Sequence, residues 1–413
     1  MNNYFRRKYP LLFTNKNFDK LLLATVLSEM GNQMQRFGIP WLIFHITNSG
    51  SLMALNFSLS LIPGVFFGFI GGLISDRVSR KKMLLYINIS AFIIISMIMV
   101  LLQFENNISV IFIFILTFII SSLTSMYEPT FNASLPVIVP KDKLISMNNI
   151  FNIVGSLIGL LGPSIAGLII GVYGAWMCIF INGISYLLSF VVILLIKSDL
   201  SILNNKKDSI RNDIASVKNY IYQNSWFLFC LLITAAVYLA TGSIGSVLQY
   251  LFLHYLHLSG FMFGFTFVLF EFIPVLCVGL FSSSIIKKFD SLLIIQVSAA
   301  LFCISLIGMG LSLNYFLIVL MGMLQNASFA LLMIAWNSKR QSQIPNNILG
   351  KINGGIVTIQ SILLPIGALS STALINFISV PKIIIIFGTI SLVFVLLLIL
   401  IKRTMNRKSA LQH

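Results

Sequence analysis

The chain has 413 residues, of which 58% are apolar and only 9% charged, with a mean hydropathy of +0.97. No water-soluble domain of that length could hide so much apolar surface, so the composition excludes a soluble globular protein and describes an integral membrane one. The formal net charge of +16 would point to a polyanion partner in a soluble chain, but here the basic residues gather between alternate apolar segments, a pattern of membrane topology and not of a nucleic-acid interface.

In chain order, Arg6, Arg7, Lys8 and Lys16 precede the first apolar run; the stretch is too long for a secretory signal, lacks a small-residue cleavage site and reads as mature cytoplasmic sequence. Twelve apolar segments follow, expected at 21–45, 51–75, 83–104, 109–135, 146–172, 175–196, 226–252, 261–286, 291–312, 314–336, 350–377 and 381–401. Each is long enough to cross a ~30 Å hydrocarbon layer as a helix. All Lys and Arg except Arg36 and Lys382 lie at the N-terminus, in the loops after even-numbered segments, in the central loop and in the C-terminal tail. Both termini are therefore expected in the cytoplasm. The one long polar stretch, 197–225, runs from Lys197 through Lys206, Lys207, Asp208, Arg211, Asp213 and Lys218. It divides the chain into an N-terminal six-helix bundle (1–196) and a C-terminal six-helix bundle with a short basic tail (226–413), and part of it is expected to lie as an amphipathic helix on the anionic inner leaflet. Richness in Ile, Asn and Lys hints at an AT-rich bacterium, hence a bacterial cytoplasmic membrane.

The halves look alike. Ser49-Gly50 before the second segment matches Ser259-Gly260 before the eighth, Gly72 and Arg80-Lys81 match Gly279 and Lys287-Lys288, and Asn132, Pro140, Leu144, Asn148 and Gly162 match Asn337, Pro345, Leu349, Asn353 and Gly367. The ordered set, with a slowly drifting offset, marks an internal repeat.

The second segment ends in Gly71-Gly72-Leu73-Ile74-Ser75-Asp76-Arg77-Val78-Ser79-Arg80-Lys81-Lys82. This stretch resembles the loop between the second and third membrane helices of the major facilitator superfamily: Gly72, Asp76, Arg77, Arg80, Lys81 and Lys82 fit, while Ser79 stands where the family usually has Gly. Gly72 is expected to let a neighbouring helix approach closely, Asp76 to accept from an Arg or a helix N-terminus as part of a conformational switch, and the basic residues to hold the loop in the cytoplasm. The second copy has Ser283 in place of Asp76, so the charged switch is confined to the N-terminal half. The resemblance implies an all-α fold of twelve transmembrane helices in two six-helix pseudo-repeat bundles.

In the fifth segment, Gly155, Gly162-Pro163 and Gly167 resemble the Gly-Pro element of the superfamily's antiporter branch. Small residues at this spacing also serve ordinary close packing, and Pro163 bends the helix. Asn17-Phe18, and the stretch Pro129, Ala133, Pro136, Val139-Pro140, Leu144, Asn148 and Asn149, resemble the branch of macrolide efflux proteins, enterobactin exporters and lysophospholipid transporters.

Ionisable groups at membrane depth are costly and face a wet cavity or a partner. They are Glu29 and Arg36 in the first segment, Glu128 in the fourth and Glu271 in the eighth. Glu29, Asn32, Gln33 and Arg36 share one helical face, as do Ser121, Thr124, Ser125, Glu128 and Asn132. Both stripes fall on helices that line the central cavity in the superfamily. Glu29 or Glu128 is expected to carry the coupling proton in competition with a cationic or amphiphilic substrate; the alternative is a structural salt bridge from Arg36 to either. Glu271, three residues before Pro274, sits on a helix that need not touch substrate. Tyr238, Gln249, Asn326, Trp336 and Phe131 are candidates for a cavity wall.

Cys178, Cys230, Cys277 and Cys303 stand singly in apolar runs, without the spacing of a disulfide framework or metal site. His254 and His257 are spaced to share a metal but have no acidic or thiol neighbour in sequence, so a wet helix end is the expectation. With no phosphate-binding Gly loop, zinc-protease helix or nucleophile triad, the chain reads as no enzyme, and an ion gradient, not a cofactor, is the expected energy source. The expectation is a monomeric secondary transporter working by alternating access in the lipid bilayer: proton-coupled efflux of a macrolide-like or other small amphiphilic drug. The alternatives are a lysophospholipid or lipidated-compound flippase, a siderophore or peptide exporter, nutrient uptake, and a membrane sensor.

Overall fold

The computed structural model describes residues 15–75, 78–104, 110–140, 143–197, 200, 220 and 224–410. Among these, twelve helices follow one another and no strand occurs. They are α1 (Lys16–Thr47), α2 (Gly50–Ser75), α3 (Arg80–Phe104), α4 (Val110–Ile138), α5 (Leu144–Tyr173) and α6 (Ala175–Leu194) in the first half of the sequence. The second half holds α7 (Ser225–Tyr250, prolonged by a π turn at Leu251–Tyr255), α8 (Gly260–Phe267, a π turn at Val268–Phe272, then Ile273–Lys288), α9 (Ser291–Gly310), α10 (Tyr315–Gln343), α11 (Asn346–Leu374) and α12 (Val380–Ala410).

Eleven of these are both long and apolar enough to cross a membrane. The twelfth, α1, has 32 residues and so reaches about 48 Å, but Glu29, Asn32, Gln33, Gln35 and Arg36 lower its hydropathy. The expected segments match these helices to within a few residues except at the ends of α10 and α12, which continue to Gln343 and Ala410, well past the 336 and 401 expected. Apolar runs report where the hydrocarbon ends; the helix carries on into water on its own hydrogen bonds.

Helix boundaries follow local chemistry. Asn15 caps α1, its side chain accepting from the amides of Asn17 and Phe18, and Asn48 closes that helix in the left-handed region at φ 50°. Ser259, Asp290 and Asn314 cap α8, α9 and α10 in the same way. Gly174, at φ 86°, allows α5 to turn directly into α6. The π turn of α8 ends two residues before Pro274, whose missing N–H breaks the ordinary ladder there.

The chain forms two compact units. Unit 1 comprises Met1–Ser49, Leu59–Asn205 and Leu258–Val268; unit 2 comprises Gly50–Ser58, Lys206–His257 and Leu269–His413. Unit 1 is built on an apolar core where Phe18 and Leu21 of α1, Leu84 of α3, Phe131 and Leu135 of α4, Met147 of α5 and Ile193 of α6 meet. Phe37 packs edge-on against Phe263 and Phe267 of α8 in the same unit. In unit 2 the core holds Trp336, Phe227, Phe252, Phe270 and Phe302, all fully buried.

The sequence repeat reappears as repeated packing. Gly50 sits against the Tyr250 ring within unit 2, and its counterpart Gly260 sits against the backbone of Gly167 and Gly171 within unit 1. Gly162 receives Gln33 of α1, while its counterpart Gly367 admits the Leu239 carbonyl of α7.

Candidate functional site

The polar residues of α1 spread over two neighbouring helices instead of forming a single free stripe. Asn32 donates from Nδ2 to Oε1 of Glu29 at 3.4 Å, and its Oδ1 accepts from the Tyr186 hydroxyl of α6 at 2.6 Å. One turn further on, Asn182 Nδ2 donates to Gln35 Oε1, and Ser185 Oγ donates to the Asn182 carbonyl at 2.7 Å. Gln33 turns the other way, against Gly162 of α5, where its Oε1 is buried without a hydrogen-bond partner. Arg36 is exposed, its guanidinium 5.8 Å from the Phe37 ring centroid.

Glu29 is therefore the centre of a polar group inside unit 1. It lies within electrostatic range of Glu128 and of the phenols of Tyr127 and Tyr186. Thr25, one turn before it, approaches the Tyr127 hydroxyl at 3.4 Å. Gly31 makes the arrangement feasible: a Cβ there would collide with Ser185 and Asn182, so α1 and α6 approach closely enough for amide and phenol to meet. The contribution of α6 was missed by reading only ionisable groups. Its signal was nevertheless present, since Asn182, Ser185, Tyr186 and Ser189 recur at the spacing of one helical face and all are buried.

On α4, Glu128 and Asn132 are exposed, whereas the hydroxyls of the same stripe are spent on their own helix: Thr124 Oγ1 donates to Ile120 O at 3.0 Å and Ser125 Oγ to Ser121 O at 2.7 Å. Ser125 also faces Gly64 and Gly68 of α2. Glu271 lies in unit 2, within the π turn of α8. Phe131 and Trp336, expected on a cavity wall, are instead buried in the cores of units 1 and 2, where Phe131 packs on Phe151 and Trp336 on Phe227. His254 stacks on Tyr250, with ring centroids 4.7 Å apart.

The charged turn after α2 is a structural clamp. Arg80 is buried; its Nη1 donates to Ala133 O of α4 at 2.7 Å and its Nε to Ser75 O of α2 at 3.3 Å. Lys81 donates to the carbonyls of Leu194 and Ile196, and Lys20 to that of Leu195, so two ammonium groups close the carbonyl end of α6. Close helix approach occurs at Gly71, where a Cβ would stand 2.8 Å from Met126 Cα; beside Gly72, where it was expected, there is open space. Asp76 and Arg77 lie outside the described residues, as does nearly all of the 197–225 loop with its expected amphipathic helix.

In α5 the close contacts fall on part of the expected set. Gly162 meets Gln33, and Gly167 meets Gly260 and Gly264 of α8, with Gly264 lying under the Pro163 carbonyl; Gly155 has open space beside it. In unit 2 the repeat counterparts Asn337 and Asn353 hold Arg340, whose Nη1 donates to Asn353 Oδ1 at 2.8 Å.

A family profile described as transmembrane secretion effector matches residues 10–411. The chain is 24% identical over 184 residues to the uncharacterized MFS-type transporter YkuC of Bacillus subtilis, covering 44% of this chain and 42% of that one. It is 29% identical over 141 residues to macrolide efflux protein A of Streptococcus pyogenes, covering 33% of each. The alignments thus span less than half the length of these curated relatives. Among solved structures, the nucleoside transporter NupG superposes with a TM-score of 0.77 at 13% identity over 93% of this chain and 99% of that one. A bacterial homologue of the iron transporter ferroportin in an inward-facing state superposes with a TM-score of 0.71 at 15% identity over 92% and 96%.

Proposed function

The chain belongs to the transmembrane secretion effector family, within the major facilitator superfamily of membrane transporters, and on that premise we propose that it exports a small amphiphilic drug of the macrolide type in exchange for protons. The observation that carries this reading is the setting of Glu29: a carboxylate at membrane depth, hydrogen-bonded by Asn32, which Tyr186 orients, and within electrostatic range of Glu128. A carboxylate placed so takes a proton in one orientation of the carrier and releases it in the other, and Glu128, exposed on α4, is the second acceptor. The macrolide efflux relative supports the substrate class.

The energetics suffice. A proton-motive force of about 150 mV supplies roughly 3.5 kcal/mol per charge, enough for some two to three decades of concentration from a single proton. In this reading the protein acts as a monomer in a bacterial cytoplasmic membrane, needs no cofactor, and keeps both termini inside.

The test is uptake into everted membrane vesicles of a labelled macrolide and, separately, a labelled lysophospholipid, with and without a pH gradient. Macrolide accumulation that collapses with an uncoupler is the expected result. Movement of the lysolipid alone, or movement indifferent to the gradient, replaces drug export with lipid translocation; a siderophore or peptide as sole cargo would likewise overturn the macrolide assignment.

A further inference from the structure

One end of unit 2 collects cations and indoles that the transport reading does not use. Ser225 opens the apolar stretch of α7 and Lys402 closes that of α12, so Trp226 and Lys402 stand at the same boundary between hydrocarbon and water. Lys402 Nζ lies 4.1 Å over the Phe229 ring and Lys339 Nζ 5.6 Å from the Trp226 ring centroid, and the two ammonium groups are within electrostatic range of each other. Behind them Trp226 meets Trp336 edge-on at 6.2 Å, and the Arg340 guanidinium lies 5.0 Å over Trp336.

This cluster has more donors than acceptors. Lys402 Nζ, Arg340 Nε and Trp336 Nε1 are buried atoms without a hydrogen-bond partner. Arg340, only 8% exposed, is held by the neutral amides of Asn337 and Asn353. Asp290 is within electrostatic range of Lys402, but its carboxylate caps α9 through the Leu292 amide at 3.2 Å. Three cations so placed, the half-buried Lys339 at the surface with the Lys402 ammonium and Arg340 beneath it, attract an anion with several acceptor oxygens. Beside them Leu228 of α7 and Leu400 and Ile401 of α12 are exposed apolar side chains, which a free inorganic anion would leave uncovered.

We propose that this end of unit 2 binds an anionic phospholipid, its phosphodiester held by Lys339 in front of the Lys402 ammonium and Arg340, and its acyl chains lying along Leu228, Leu400 and Ile401. Trp226, partly exposed, marks the headgroup level. The charge bias of the loops puts this end at the inner leaflet, where anionic lipid concentrates.

The experiment is thermal unfolding of the full chain in a neutral detergent with added phosphatidylglycerol, phosphatidylcholine or inorganic phosphate. It depends neither on orientation nor on transport. Phosphatidylglycerol should raise Tm by about 2 °C or more and phosphatidylcholine should not. The shift should shrink with salt, vanish in the Lys339→Gln, Lys402→Gln double variant, and survive in Lys82→Gln, which removes an exposed charge from unit 1. Equal shifts from both lipids, or an unchanged shift in the double variant, overturns the proposal; an equal shift from inorganic phosphate assigns the site to a soluble anion and overturns the lipid. If the double variant does not fold, counting phosphatidylglycerol bound to Lys402→Gln by native mass spectrometry decides, with loss of a bound lipid expected and an unchanged count overturning the site.

Discussion

The Tyr186 hydroxyl donates to Asn32 Oδ1 at 2.6 Å, and that bond sets the Asn32 amide so that its nitrogen points at Glu29. Tyr186→Phe removes the donor without removing the ring. The partly buried amide oxygen then loses its donor, at a cost of about 1 kcal/mol, and the amide is no longer held in the orientation that points its nitrogen at the carboxylate. The expected outcome is a lower Tm together with a several-fold slower pH-driven export at little-changed substrate affinity. Unfolding curves and vesicle transport measure the two effects separately; unchanged transport would remove Asn32 and Tyr186 from the mechanism.

Glu29→Gln keeps an oxygen for Asn32 to bond and deletes the charge. If Glu29 carries the coupling proton, gradient-driven accumulation falls by at least about tenfold, the scale on which intramembrane carboxylates matter, while exchange of labelled for unlabelled substrate continues. Glu128→Gln, at an exposed position on α4, is the paired test. Whichever substitution leaves exchange intact and abolishes the response to pH identifies the titrating group.

Arg80 ties the end of α2 to α4 through the carbonyls of Ser75 and Ala133. Arg80→Ala releases both and should lower stability by about 1.5–3 kcal/mol, the range for hydrogen bonds from a charged donor. Arg80→Lys can reach one carbonyl but lacks the planar fork that serves two, so it should fall between alanine and the parent in Tm. A lysine variant as stable as the parent would show that charge alone suffices at this turn.

Sequence patterns reveal spans and repeat better than the directions of side chains. Ser49-Gly50 and Ser259-Gly260, matched as copies of one repeat, stand at the starts of α2 and α8, and both glycines are closely packed. The stripe of Glu29, Asn32, Gln33 and Arg36 was legible as a period, but the turn of Asn32 to α6 and of Gln33 to α5 depends on which neighbours stand there. Trp336 could not be told from a cavity aromatic, since apolar side chains look alike whether they face a partner helix or a ligand. Gly71 and Gly72 were similarly indistinguishable: one residue is a rotation of about 100° around the helix, and only the partner decides which of the two is crowded.

The glycines of α5 separate the same way and give the last prediction. A Cβ at Gly167 would run into the Gly260 carbonyl and stand 3.0 Å from Gly264 Cα, both of them backbone atoms of α8 that cannot swing aside as a flexible side chain does. Relief requires the two helices to move apart, which strips dispersion contacts along the crossing. Gly155, on the same helix, has nothing within 4 Å of such an atom. Gly155→Ala should therefore be neutral or stabilise the helix by about 0.5–1 kcal/mol, the usual advantage of Ala over Gly in a helix interior. Gly167→Ala should lower Tm and reduce transport, and Gly167→Val should do so more severely. If both alanine variants behave alike in unfolding and in transport, then the α5–α8 crossing tolerates separation, and the Gly-Pro element owes its role to the bend at Pro163 and not to close approach.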